Sequence, residues 1–174
     1  MKSYVLADSV TGYCYNFSIY EGTSRTLRVI VVGLMDDLCG LRHRLYMVNF
    51  YNSVALATEL LHEHLTYSCG TLRRNRGEPP VIRLAGTKDA KLRKGEMVSR
   101  DNGHVLCMAW QHNRTVRCVT TQHDNSMETV EIRKRGGGTE QLQKPKAICD
   151  YNRHMGGHID QMCQYYPLVR RTRK

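Results

Sequence analysis

The sequence predicts a mixed α/β fold: a sheet flanked by helices and interrupted by a basic, β-rich insertion. Three observations carry that expectation. Short apolar runs of strand character, such as Tyr4-Val-Leu-Ala7 and Leu45-Tyr-Met-Val48, alternate with longer stretches whose apolar residues recur at helical spacing. From Gly70 onward, strands and turns take over, and the charge balance changes sign with them. At 174 residues and 41% apolar content, the chain is long enough to bury a core of its own.

The elements follow in order. Tyr4–Ala7 is a strand, Asp8-Ser-Val-Thr-Gly12 a turn and Tyr13–Tyr20 a second strand, which together make a hairpin. Glu21-Gly-Thr-Ser24 reads as a helix start with Ser24 as N-cap, since a serine hydroxyl can accept a first-turn backbone N–H. The stretch that follows, RTLRVIVVGLMDDLCG, is locally ambiguous. Its β-branched run favours a strand, whereas Leu27, Val31, Leu34 and Leu38 share one helical face. Leu45–Val48 is the next strand. A helix over Val54–Leu65 begins behind Ser53, with Leu56, Leu60 and Leu61 facing inward.

Arg73-Arg-Asn-Arg-Gly-Glu-Pro-Pro80 is a basic connector rich in helix breakers. Met97–Arg100 and His104–Trp110 flank Asp101-Asn-Gly103, a hairpin signal, and Val116–Thr121 and Met127–Arg133 are further strands. Arg133-Lys-Arg-Gly-Gly-Gly138 is a loop. Trp110 and Tyr13 read as core residues rather than base-stacking platforms. Ala147–Tyr151 comes next, then a turn at Met155-Gly-Gly157 and a helical stretch from His158. The resulting boundaries are 1–69, 70–147 and 148–174.

The longest uncharged apolar run, Val29–Met35, is far too short to cross a bilayer, and no secretory signal follows Met1-Lys2. The seven cysteines show no C-x-x-C spacing, so they read as reduced thiols, with no ligand-spaced pair to support a zinc site. A nuclear or cytoplasmic rather than secreted protein is expected. The net charge of +10 is one-sided. Residues 1–69 carry five Lys/Arg against six Asp/Glu, whereas residues 70–174 carry 21 against ten. Such an excess suits a polyanion, above all nucleic-acid phosphate, and neither a membrane nor a small-molecule substrate is indicated.

Several stretches in order along the chain resemble the catalytic region of piggyBac-type transposases of the DDE family. They are YVLADSVTGY (4–13), NFYNSVALATELL (49–61), YSCGTLRRNR (67–76), KLRKGEMVSRDNG (91–103), KPKAICDYNRHMGG (144–157) and DQMCQYYPLVRR (160–171). The resemblance implies an RNase H-like fold split by the 70–147 insertion, and makes the ambiguous segment from Ser24 to Cys39 a helix. It also implies that DNA-binding and dimerisation segments would precede Met1 and a zinc module would follow Lys174.

In that family three aspartates hold two Mg²⁺ or Mn²⁺ ions, because hard cations need converging oxygen ligands. The resemblance places Asp8 at the first position. At the second, where the family has D-N-F-Y, this chain has Val48-Asn49-Phe50, and valine offers no lone pair. Asn49 is a weak donor that would point to the opposite face of a strand. The third belongs to G-G-V-D-x-x-D-Q. Here Gly156-Gly157-His158-Ile159-Asp160-Gln161 is two residues short and leaves Asp160 as a displaced candidate. Metal binding is therefore expected to be weak or absent, and the domain a transposase-derived pseudoenzyme with residual DNA binding. Arg73 and Arg76 match basic positions of the family's G-T-V-R-x-N-K/R motif, beside Arg74, while Lys134 and Arg135 add charge in the glycine-rich loop. Protein partners would be a second copy or an intact relative. Three rival readings follow from the same residues: a working cut-and-paste transposase whose site losses are gene-model errors, a co-opted protein-interaction module, and a decaying genomic remnant with no selected role.

Overall fold

The computed structural model describes residues 3–22, 25–133 and 137–155. The chain forms two compact units, Met1–Asp37 with Asn152–Lys174 and Leu38–Tyr151.

In the first unit, β1 (Ser3–Ala7) and β2 (Cys14–Ile19) form the expected antiparallel hairpin. Asp8 builds its turn: one carboxylate oxygen accepts from the backbone N–H of Val10 (2.6 Å) and Thr11 (3.0 Å). Helix α1 (Leu27–Leu34) occupies the ambiguous segment and continues into a 3₁₀ turn at Asp36–Leu38. Its N-cap is Thr26, whose hydroxyl accepts from Val29 N–H, rather than the expected Ser24, which lies outside the described residues. Burial of Ile30, Val31 and Leu34 on one face outweighs the β-branched preference of the run. The Asn16 side-chain amide donates to the Leu34 carbonyl (3.1 Å), fastening β2 to the end of α1. Tyr13 corrects the expectation of a core residue. It is 69% exposed, and with Tyr15, Phe17 and Ile19 it recurs at every second position of the strand and its approach, all of them exposed.

The second unit is built on β3 (Arg44–Met47), α2 (Val54–His62), β4 (Tyr67–Thr71), α3 (Pro80–Leu84), β5 (Met97–Asp101), β6 (Leu106–Gln111) and β7 (Thr115–Thr120). Its sheet has the order β3-β4-β7-β6-β5, with β3 and β4 parallel and the other pairs antiparallel. Helix α2 is the crossover between the parallel strands, capped by the Ser53 hydroxyl on Leu56 N–H (3.1 Å), and it buries Leu56, Ala57 and Leu60. The sheet runs directly across residue 70, since Cys69 pairs with Thr120 and Thr71 with Cys118. Strands β8 (Met127–Arg133) and β9 (Thr139–Pro145) make a separate hairpin, and α4 (Lys146–His154) follows; β9 and α4 are additions to the elements expected from the sequence.

The core explains why β6 carries no polar face. All of Leu106, Cys107, Met108, Ala109 and Trp110 are buried. Alternate residues enter two clusters, Cys107 and Ala109 with Ala57, Ile82 and Val119, and Leu106, Met108 and Trp110 with Cys118, Leu142 and Ile148. A strand covered on both faces has no room for alternation. Trp110 is thus core, as expected, and its indole N–H donates to the Gln143 carbonyl (3.1 Å).

One polar network inside this packing joins three elements. Asp150 on α4 accepts the Tyr46 hydroxyl proton at 2.6 Å and lies 3.1 Å from His123 Nε2, whose Nδ1 meets the Thr120 hydroxyl at 2.9 Å. Burial first, and then the Asp150 carboxylate, pushes the Tyr46 hydroxyl up to about 12, so it stays a donor at neutral pH. The helix is thereby tied to β3 and to the end of β7.

Where β3 and β4 run closest, Gly70 stands opposite Met47. A Cβ at residue 70 would fall on the Met47 carbonyl oxygen, which is strand backbone, and lie 2.8 Å from Asn52 Nδ2, which donates to the Thr71 carbonyl. Gly70→Ala is therefore expected to lower unfolding free energy by about 1–3 kcal/mol. Urea denaturation checks this; an unchanged midpoint would contradict the close approach.

Candidate nucleic-acid interface

The end of β3 and the loop leaving β4 lie side by side. Val48, just past β3, is 37% exposed, and its carbonyl accepts from Tyr51 N–H (3.2 Å), turning the chain toward α2. Asn49 does not stand in for a missing carboxylate. Its side-chain oxygen accepts from Arg73 Nε at 3.0 Å, and the Arg73 guanidinium carbon sits 5.6 Å from the centre of the Phe50 ring. An exposed arginine is thus held at the strand end by a hydrogen bond and a cation–π contact.

The loop behind it is held just as firmly. Leu72 is buried, and its N–H donates to the Arg117 carbonyl (2.9 Å). Asn75 adopts a left-handed conformation with φ 61°, and the buried Glu78 carboxylate accepts from the backbone N–H of Asn75 (2.7 Å) and of Arg76 (2.8 Å). The Arg76 carbonyl in turn accepts from Val54 N–H (3.0 Å) at the start of α2. Burial works to raise the Glu78 carboxyl, but the backbone N–H groups at its own position and at Arg76 and Asn75, with the Arg83 charge, win and hold it below its ordinary value. Arg73 and Arg74 are left facing solvent, and Arg76 is half-buried.

The sequence-predicted residues fall as follows. Arg73, Arg74 and Arg76 come together on this one loop. Asp8 lies in the other unit, exposed, with the hydrogen bonds from Thr11 and Val10 N–H holding its carboxyl below the ordinary value. Asp160, Lys134, Arg135 and the His158 helix lie outside the described residues. Of the positions that the resemblance assigns to metal, Val48 contributes only hydrocarbon, and one Asp8 carboxylate oxygen accepts the N–H groups of its own turn. Sequence reasoning missed Glu78, which looked like one acid in a basic connector; its spacing of two and three residues from the N–H groups it accepts was the available signal.

The second unit is thus a mixed sheet whose parallel β3–β4 pair is joined by the helical crossover α2. The solved synaptic complex of piggyBac transposase with hairpin DNA has the same fold, with a TM-score of 0.71 and 24% identity over 93% of this chain. A family model described as Transposase IS4 matches residues 1–174, and the chain belongs to that family of piggyBac-type DDE transposases. It spans 34% of the length of the piggyBac transposase chain it matches. Family membership carries a divalent-metal requirement for the chemistry. Among the described residues no helix is long and apolar enough to cross a membrane.

Glu78→Gln should remove the acceptor for one of two buried N–H groups and cost about 1–3 kcal/mol. Because the folded-state value is lowered, the contribution of Glu78 is present above the ordinary carboxyl value of 4.5 and is lost as pH falls through the folded value. Melting temperatures across pH 3–7 should accordingly fall more steeply on acidification for the native chain than for the variant. Parallel curves would refute the assignment.

Proposed function

We propose that this chain is a transposase-derived DDE domain that binds DNA through phosphate contacts and does not cleave it. The observation that carries the reading is the pairing of Val48 with the fixed basic loop: the metal-ligand position holds no oxygen, while the arginines beside it remain ordered and exposed. Arg73 would meet a phosphate with the guanidinium edge left over from its contact with Asn49. Arg74 and Arg76 would extend the track, and Lys134 and Arg135 are proposed as further phosphate contacts on the strength of their charge. The relative's solved complex contains hairpin DNA, which supports duplex or hairpin DNA as the ligand class.

Residues 70–147 are proposed as an insertion in an RNase H-like domain begun in 1–69 and continued in 148–174, one whose strand β7 hydrogen-bonds directly to β4. A nuclear location and association with a second copy or an intact relative belong to the same reading. Metal ions would bind weakly or not at all at the aspartate positions, for want of the converging carboxylates that Mg²⁺ or Mn²⁺ requires.

Binding is read by fluorescence anisotropy on a labelled hairpin duplex over a series of salt concentrations. Arg73→Ala and Arg74→Ala should each weaken affinity across unrelated sequences and reduce the salt slope by about one. Unchanged slopes in both variants would remove this loop from the interface. Strand chemistry is read separately, by incubating end-labelled hairpin or transposon-end DNA with Mg²⁺ or Mn²⁺. The native chain should leave it intact, and enzyme-dependent nicking above a no-protein control would sink the inactive reading.

A further inference from the structure

We propose that Glu59, Glu63 and His64 form a binding site for one divalent cation of the zinc type at the C-terminal end of α2. The set lies at the opposite end of that helix from Ser53. Glu59 and Glu63 stand one turn apart and His64 follows directly, so one ligand atom from each comes within 4.8 Å of the other two. Among the described residues no other three His, Cys, Asp or Glu side chains converge in this way.

The second observation is the state of the imidazole. His64 Nε2 is sealed from solvent and makes no hydrogen bond, yet it lies 3.5 Å from Glu59 Oε1. That separation is longer than a good N–H···O bond of about 2.9–3.0 Å. It matches the roughly 3.3–3.4 Å between two ligand atoms that each sit about 2.0–2.1 Å from one tetrahedral ion. Two carboxylates and an imidazole are a donor set suited to zinc, and the exposed side of Glu63 leaves room for water as the fourth ligand.

The backbone under the ligands is already in place, so binding would not have to order it. The His64 carbonyl accepts from Gly40 N–H (2.8 Å) and from the Thr66 hydroxyl (3.0 Å), and Thr66 N–H donates to the Leu60 carbonyl (2.8 Å). Leu65 turns the chain in a left-handed conformation, φ 47°, into β4. A cation here would clamp the helix end to the turn before β4. It would serve as a structural ion and take no part in the DNA contact described above.

The test is calorimetric titration of ZnCl₂ into the native chain, with Glu63→Gln and His64→Ala alongside and circular dichroism to establish folding. One Zn²⁺ per chain is expected, with affinity at least tenfold weaker in either variant and a zinc-dependent rise in melting temperature that both variants lose. Should His64→Ala fail to fold, the exposed Glu63→Gln decides alone. Co²⁺ substitution should give a visible spectrum without the intense near-ultraviolet sulfur-to-metal band. That band would overturn the proposal by assigning the metal to thiolates. Absence of saturable binding, or equal affinity in native chain and variants, would overturn it too, leaving His64 and Glu59 as a plain ion pair. DNA affinity is expected to be the same with and without zinc, so failure here is separable from failure of the DNA-binding reading.

Discussion

The close parallel approach of β3 to β4 is the contact on which the second unit depends. With no side chain at Gly70, the Met47 carbonyl and the Asn52 amide fill the space where a Cβ would stand. Asn52 is fully buried and donates to the Thr71 carbonyl (3.3 Å), so the turn after β3 is stitched to the end of β4. From that stitch two segments leave together, Val48–Phe50 and Leu72–Glu78, and their adjacency lets Arg73 reach Asn49. Widening the strand pair by the width of a methyl group would separate the arginine from its anchor. The interface therefore inherits its geometry from a backbone contact in the core.

The same unit shows how buried polarity is used to fix parts remote in sequence. Tyr46, His123 and Asp150 come from a strand, a loop and a helix, and each finds its partner only once the sheet is assembled. Arg117 plays a comparable role on the other side. Its guanidinium donates to the carbonyls of Ile82 (3.0 Å), Arg83 (3.2 Å) and Ala85 (2.6 Å), satisfying the open end of α3. One of the chain's many cations is thus spent on structure rather than on a polyanion. The net charge of a basic protein overstates the number of groups free to meet phosphate.

What could be read from the sequence was mainly local. The Asp8 turn, the Ser53 cap, the hairpin at Asp101-Asn-Gly103 and the strand Met127–Arg133 each rest on neighbouring residues, and all four appear. Helix α1 was not legible from propensity, because its β-branched residues are stabilised by the face they bury; family likeness supplied it. Tyr13 misled for a related reason: alternating aromatics signal a strand but do not say which face is covered. The insertion of β7 between β4 and β6 joins residues about fifty positions apart, and no local pattern records it. At the site, the basic loop was visible as composition. The Glu78 clamp and the Glu59–Glu63–His64 group were not, because isolated acids in a loop and at a helix end form no pattern that distinguishes them from solvated charges.

Losing a metal ligand need not cost a domain its affinity for DNA, and electrostatics explains why. Clustered carboxylates at a strand end repel phosphate unless cations neutralise them, so a metal-dependent site binds its substrate at the expense of loading ions first. Under the proposed reading, valine at position 48 means one such negative charge fewer in the neighbourhood of Arg73. The guanidinium would then face an approaching phosphate while held by Asn49, a neutral acceptor, and the Phe50 ring. Phosphate contact draws on counterion release and charge–charge attraction, neither of which needs a bound cation. On the proposed reading, a domain unable to organise two metal ions would still hold a nucleic-acid backbone, because the arginine loop is built on Gly70, Asn52 and Glu78 rather than on Asp8 or Val48.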